Sequence, residues 1–247
     1  MVALFYILNI AAIGVLIFFF YTRQVSKGGL KPFFIPALTY HLAAGILFGL
    51  LYKYYYGFGD TLNFFEEGLK YTQIARHDLK EFLGLLFSDD VVSDSMYGNQ
   101  PRAHFMSKLT SVFVLLTGES YWLTTVYFTF FSFIGIWVFS EAVMETYETK
   151  TSAVLLLFFP SLTFWSVGIS KESIAMLALG VLLMLLLRHY HGSRSVSLLT
   201  IVKALIMLLL LWKVKYYYAG VFMFVGTSLV LTYFLAYKAD FVRSSVT

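Results

Sequence analysis

The sequence predicts an all-α fold, a polytopic membrane helix bundle of about seven spans with amphipathic helices in its first large external loop. Two observations predict it. Hydrophobic residues make up 59% of the 247 residues and charged residues only 13%, whereas soluble domains average about 45–50% and about 25%. The mean hydropathy is +0.76. So little charge cannot coat a soluble surface of this size, which excludes a soluble enzyme, a nucleic-acid binder and a disordered tail.

Seven apolar stretches are candidates for spans, because a hydrocarbon core of about 30 Å needs about 20 residues of helix. The last two form one apolar stretch that is interrupted by Lys213 and Lys215. As one helix, about 40 residues at 1.5 Å each would reach about 60 Å, so we expect the chain to turn back there. The predicted spans are 2–21, 33–52, 121–143, 153–169, 174–187, 198–212 and 217–236.

The basic residues of the short loops predict the orientation of these spans. One set of loops carries eight Lys and Arg residues, and the short loops of the other set carry only Lys171, Lys213 and Lys215. We therefore expect the first set in the cytoplasm, the N-terminus outside and the C-terminus inside. The chain then forms a single transmembrane domain, 1–247, with an external loop at 54–120.

The external loop holds most of the 14 acidic residues and three stretches with helical spacing of apolar residues. We expect Asp60 and Asp78 to be the N-caps of the first two helices. All three should lie flat on the membrane surface. The predicted apolar faces are Leu62, Phe65 and Leu69, then Leu79, Phe82, Leu83 and Leu86, then Phe105, Leu109, Val112 and Leu116.

Asp60 is the first candidate for chemistry, because it lies just outside a span where a lipid-linked substrate would present its headgroup. It follows Gly57-Phe58-Gly59 and a tyrosine-rich segment that is typical of the membrane interface. Its carboxylate could accept a proton from an attacking hydroxyl or help hold a divalent cation beside a phosphate. Asp60 could instead be only a helix cap, and the residues alone leave these three roles open.

Two groups of polar residues could bind a phosphate. Arg102, His104 and Lys108 form a cationic cluster, which anchoring to anionic headgroups explains equally well. Lys171 and Glu172 follow a span broken by Pro160, where Glu172 would lie at a helix N-terminus and leave Lys171 free for a phosphate. A pair of snorkelling side chains is the alternative reading.

The sequence offers no metal signature. The absence of cysteine excludes thiolate sites, and Asp89, Asp90 and Asp94 match no closed metal motif. We therefore assign no metal ligands and no definite cofactor, and a divalent cation beside a phosphate stays open.

Residues 54–187 resemble the integral-membrane glycosyltransferases of the GT-C superfold. The likeness lies in Gly59-Asp60 at the start of the loop, in the loop's amphipathic helices and in the stretch from Phe159-Pro160-Ser161 to Lys171-Glu172. The resemblance implies a protein of the bacterial cytoplasmic membrane that moves a sugar from a polyprenyl-phosphate donor to an acceptor on the outer side. It also implies that Asp60 is a catalytic base or a metal-supporting acid.

The chain departs from the family pattern in two ways. An extra span precedes the acidic loop, and members of the superfold usually have more spans and often a soluble C-terminal domain. We therefore expect that a C-terminal part is missing. The expected partners are the lipid bilayer and a polyprenyl-phosphate-linked sugar, and not nucleic acid.

Two other classes stay open. An O-antigen-type polysaccharide polymerase should present several arginines in this loop, which has only Arg76 and Arg102. A transporter or a non-catalytic scaffold predicts charges along a membrane path and no dependence on Asp60.

Overall fold

A computed structural model describes residues 2–26, 28–92, 95–190 and 197–244. Within these ranges the chain is all-helical, with ten α-helices and without strands. Short π-helical turns extend α1 to Val25 and α2 to Tyr56. The helices are α1 (Val2–Phe20), α2 (Phe34–Leu50), α3 (Asp60–His77), α4 (Leu79–Phe87), α5 (Pro101–Leu116), α6 (Tyr121–Tyr147), α7 (Lys150–Phe158), α8 (Pro160–Ser166), α9 (Lys171–Tyr190) and α10 (Leu198–Ser244).

Four helical segments in the described part of the chain are long and apolar enough to cross a membrane. They coincide with the first, second, third and fifth predicted spans, and they support a multi-pass membrane protein. Their bounds are Phe5–Val25, Lys31–Tyr56, Tyr121–Tyr147 and Lys171–His189.

The other three predicted spans are not separate, continuous long helices. The stretch 153–169 is divided into α7 and α8 at Phe159, because Pro160 has no N–H to continue the helix. In α10 the backbone leaves the helical region at Lys215, with φ −143° and ψ 75°, where the sequence predicts a turn. The break divides α10 into 198–214 and 216–244, and residues on both sides of the break pack beside α9. The count of seven spans stays a prediction.

A close backbone contact joins α6 to α9. A Cβ atom built on Gly180 would lie 2.2 Å from the carbonyl oxygen of Gly135, and one on Gly135 would lie 2.2 Å from the Met176 carbonyl oxygen. The two backbones therefore touch, as they do where small residues line membrane helix crossings. This contact fixes the position of α9, whose first residues are Lys171 and Glu172.

The buried residues of α3 and α5 include polar and charged side chains. In α3 they include Phe64, Glu67 and Tyr71, and in α5 they include His104 and Lys108. The predicted apolar faces of these two helices are only half-buried, with Leu116 exposed. The polar side chains are buried because they find partners in each other and in the loop between α4 and α5. That the apolar faces lie on a membrane surface stays a prediction.

Helix α4 confirms one predicted cap. Asp78 Oδ1 accepts hydrogen bonds from the backbone N–H groups of Lys80 and Glu81, at 2.8 and 3.1 Å. Of the predicted apolar face only Phe82 is fully buried, while Leu79 and Leu83 are exposed. Those exposed side chains fit the expectation that this helix lies against a membrane surface.

Candidate functional site

Asp60 is the first residue of α3, and the N-cap is Gly59. The prediction that Asp60 itself is the N-cap was wrong by one residue. Gly59 has φ 140°, and a Cβ atom there would lie 2.5 Å from the Tyr52 ring, so only glycine fits this turn. The Asp60 side chain is 63% exposed, and no side-chain hydrogen bond caps the N-terminus of α3.

Lys171 lies beside Asp60. Its Nζ is 3.9 Å from Asp60 Oδ2, and its side chain is 21% exposed. The ammonium also lies over the Phe64 ring, 5.3 Å from the centroid. A separation of 3.9 Å is long for an ion pair, so the ammonium can bind a further anion without first breaking a short hydrogen bond.

A second ion pair joins Glu172 to the break in α10. Lys215 Nζ lies 2.5 Å from Glu172 Oε1, and the Lys215 side chain is only 16% exposed. Burial by itself would lower the pKa of Lys215, but the hydrogen bonds to Glu172 and Tyr217 outweigh it and raise the pKa. Sequence reasoning did not assign Lys215 to the site, although the charged break predicted on the outer side could have indicated it.

The two carboxylates of these ion pairs line an open pocket of about 440 Å³. Asp60 and Glu172 contribute the carboxylates, and aromatic rings form most of the remaining wall. A second pocket of about 240 Å³ between α8, α9 and α10 shares Trp165 and Glu172 with the first. The aromatic residues of the first pocket are Phe48, Tyr52, Tyr56, Phe58 and Trp165.

Arg102 of the predicted cationic cluster stacks on Tyr216. Its guanidinium carbon lies 3.7 Å from the centroid of that ring, the geometry of a cation–π contact. Tyr216 follows Lys215, whose partner Glu172 lines the pocket. Arg102 therefore contacts the break in α10 beside the pocket.

His104 and Lys108 face the interior of the loop. The Tyr71 hydroxyl and His104 Nε2 are 2.8 Å apart, and Lys108 Nζ donates to the Ser88 carbonyl oxygen. Burial lowers the pKa of both His104 and Lys108. These contacts hold the segment after α4 against α3 and α5. That these two residues bind a substrate stays a prediction.

The pocket offers a poor donor set for a divalent cation. In the described ranges no three His, Asp or Glu side chains lie close enough together to hold a metal ion, and Asp94 lies outside these ranges. The two carboxylates of the pocket each have a lysine partner already. We therefore assign no chemical step to a metal.

Comparisons of this chain with models of protein families, with curated proteins and with solved structures gave no match.

Proposed function

We propose that the protein is an integral-membrane glycosyltransferase of the GT-C type. It would move a hexose or pentose from a polyprenyl-phosphate donor to an acceptor on the outer side of the bacterial cytoplasmic membrane. One observation carries the proposal: an exposed carboxylate, Asp60, and a loosely paired ammonium, Lys171, lie 3.9 Å apart at an aromatic pocket. One phosphate oxygen could bind the ammonium while the carboxylate stays within reach of the sugar.

The reaction needs a base and a stabilised leaving group. The acceptor oxygen attacks the anomeric carbon of the donor sugar, and Asp60 takes the hydroxyl proton. The bond from that carbon to the phosphate oxygen breaks, its electron pair stays on the phosphate, and Lys171 stabilises the polyprenyl phosphate that leaves. General-base catalysis typically contributes about 10²–10⁴-fold in rate, and a charge-assisted hydrogen bond contributes about 1.5–3 kcal/mol of binding.

The pair of pockets fits an amphiphilic substrate. The first pocket combines charges with aromatic rings, whose apolar faces suit sugar rings and whose edges suit a membrane interface. The second pocket has Leu162 and Met176 in its wall, and Met176 lies more than one helical turn into α9 from Glu172. An isoprenoid chain could lie there while its phosphate reaches Lys171.

In this proposal the chain crosses the membrane about seven times, with the Asp60 loop outside and the C-terminus inside. The chain has no cysteine, so single cysteines can report the orientation. We expect an impermeant thiol reagent to label Ser93→Cys but not Ser193→Cys in intact cells. Labelling of Ser193→Cys alone would reverse the topology and place Asp60 in the cytoplasm.

Replacing Asp60 tests the function directly. Asp60→Asn keeps the size of the side chain and removes the base, so we expect folded protein in the membrane with sugar transfer reduced by at least about 10²-fold. The assay measures transfer into glycolipid or polysaccharide in cells that express the complete reading frame. Glu66→Gln is the matched control, because Glu66 is exposed on the same helix. Near-normal transfer by Asp60→Asn would contradict the mechanism and favour a scaffold or transporter.

The polymerase alternative is less well supported. The two arginines of the external loop already have partners: Arg76 pairs with Glu119 at 2.9 Å, and Arg102 stacks on Tyr216. A site for two pyrophosphate-linked substrates needs cations that these arginines do not supply.

A further inference from the structure

The break in α10 is held from two sides at the proposed site. Lys215 pairs with Glu172 at the start of α9, and the next residue, Tyr216, stacks under Arg102 of α5. The preceding residue, Val214, is buried in a cluster that includes Phe64 of α3. Because this backbone is non-helical at Lys215, the segment is a fixed connection between α9 and the external loop.

The charges of the pocket balance only if Lys215 is counted. Asp60 faces Lys171, and Glu172 faces Lys215. Without Lys215, Glu172 would be an uncompensated carboxylate in the wall that both pockets share. That carboxylate would repel an anionic headgroup, and it could also pair with the neighbouring Lys171 ammonium. Because Glu172 lines both pockets, loss of the Lys215 charge would change the electrostatic potential in each of them.

We propose that Lys215 is a positioning residue, which neutralises Glu172 so that Lys171 and the pocket accept an anionic headgroup. The headgroup is the phosphate of the proposed donor, so this inference rests on the proposed function. Lys215 touches neither substrate nor reacting atoms in this proposal. The raised pKa of Lys215 supports it, because the residue then stays charged at any physiological pH.

Binding of polyprenyl phosphate to the full chain in nanodiscs tests the proposal. We expect Lys215→Met to weaken binding by about tenfold, which corresponds to about 1.4 kcal/mol, and Lys215→Arg to retain it. Glu172→Gln removes the negative charge from the pocket wall and leaves the Lys215 ammonium without its partner, so binding of the anionic headgroup should become stronger. The double variant Lys215→Met/Glu172→Gln should restore binding to within about threefold, because it removes the uncompensated charge as well as its partner. Lys213→Met is the matched control, since Lys213 is exposed two residues away.

A structural role predicts the opposite pattern. If the ion pair only holds the break in place, the double variant lacks the same contact as Lys215→Met and binds as weakly. That result, or a large loss of binding in Glu172→Gln alone, would overturn the proposal.

A second measurement does not depend on the substrate. Acylation of Lys171 by a water-soluble amine reagent, followed by mass spectrometry, needs the free amine. In Lys215→Met the uncompensated Glu172 should stabilise the Lys171 ammonium and slow acylation several-fold, and the double variant should restore the rate. If wild-type protein binds no polyprenyl phosphate but Lys171 shows this pattern, the proposed function fails and the role of Lys215 stands. An unchanged acylation rate in Lys215→Met contradicts the role itself.

Discussion

Two helix pairs hold this molecule together by different means. Helices α6 and α9 meet backbone to backbone at Gly135 and Gly180. Helices α3 and α5 meet through polar side chains: Glu67 is fully buried, and the Tyr71 hydroxyl contacts His104. The α6–α9 contact is possible because glycine has no side chain, whereas the α3–α5 contact consists of hydrogen bonds between side chains.

If α6 and α9 cross the membrane and α3 and α5 lie outside it, as proposed, the two solvents account for the difference. Within a bilayer an apolar side chain gains little by leaving lipid, so close packing and small residues drive helix association. Outside the bilayer a buried charge must be compensated, and each satisfied polar group then specifies one arrangement. The candidate site lies where the two kinds of packing meet, because Asp60 belongs to α3 and Lys171 to α9.

The largest expected effect is at the α6–α9 crossing. In Gly180→Ala the new Cβ would lie 2.2 Å from a backbone oxygen of Gly135, which no rotamer change relieves. We expect a loss of at least about 1–3 kcal/mol in the free energy of unfolding and a lower yield of monodisperse protein in detergent. Gly14→Ala is the control, since nothing lies within 4 Å of its built Cβ. Equal stability of the two variants would mean that the backbones are not in contact.

Glu67 gives the next effect, confined to the external loop. Its carboxylate accepts hydrogen bonds from Lys70, from the Ser95 hydroxyl and from the Met96 N–H. In Glu67→Ala these donors lose their acceptor, and we expect a loss of about 1–3 kcal/mol. Limited proteolysis should detect it as faster cleavage within 88–100. The neighbouring exposed residue supplies the control, Glu66→Ala, which should be cleaved like the wild type. Matching rates in the two variants would show that Glu67 does not hold the loop.

Part of this architecture could be predicted from the sequence. Apolar length identified α1, α2, α6 and α9, and Asp78 was recognised as a cap from its position before an apolar helix. The distribution of basic residues predicted that Asp60 and Lys171 lie on the same side of the membrane. Each of these inferences depends on residues close together in sequence or on a count over whole loops.

The rest depends on contacts that no local pattern contains. Glu67 is buried because Ser95 and Met96 come back to it, and Glu172 pairs with Lys215 of a different helix. Helical periodicity assigns charged residues to the exposed face, so it does not predict that Glu67 of α3 and Lys108 of α5 are buried. The shift of the α3 N-cap to Gly59 follows from a backbone conformation that the sequence does not show.

Acidification should destabilise the α3–α5 region more than the α6–α9 crossing. Burial and the nearby Lys108 lower the pKa of His104 below the usual 6.5, so the unfolded state binds that proton more readily than the folded state. The contribution of His104 to the free energy of unfolding is therefore present above pH 6.5 and is lost as the pH falls below that value.

Glu67 acts in the same direction at lower pH. Burial would raise its pKa, but hydrogen bonds from Lys70, Ser95 and Met96 lower it below 4.5. Its contribution is present above pH 4.5 and is lost as the pH falls through the folded-state value. Hydrogen exchange should increase in 60–116 between pH 7.5 and pH 4 after correction for the intrinsic rate. The Gly135–Gly180 contact contains no titratable group, and neither does the surrounding α9 segment, so 174–182 should stay protected. Parallel loss of protection in both regions would contradict the distinction.

The smallest expected effect on stability is at the residue with the largest expected effect on activity. Asp60 lies in the first turn of α3, where an acidic side chain contributes about 0.3–1 kcal/mol through the helix dipole. Its pairing with Lys171 adds little, because the carboxylate is largely exposed and the atoms are 3.9 Å apart. Asp60→Asn should therefore lower the free energy of unfolding by less than about 1 kcal/mol, close to the value for Glu66→Gln. Thermal unfolding in detergent, compared at one protein concentration, measures both. A loss above about 2 kcal/mol would make Asp60 part of the packing between the two regions, and any loss of transfer would then have a structural cause; a small loss with abolished transfer leaves the carboxylate's chemistry as the explanation.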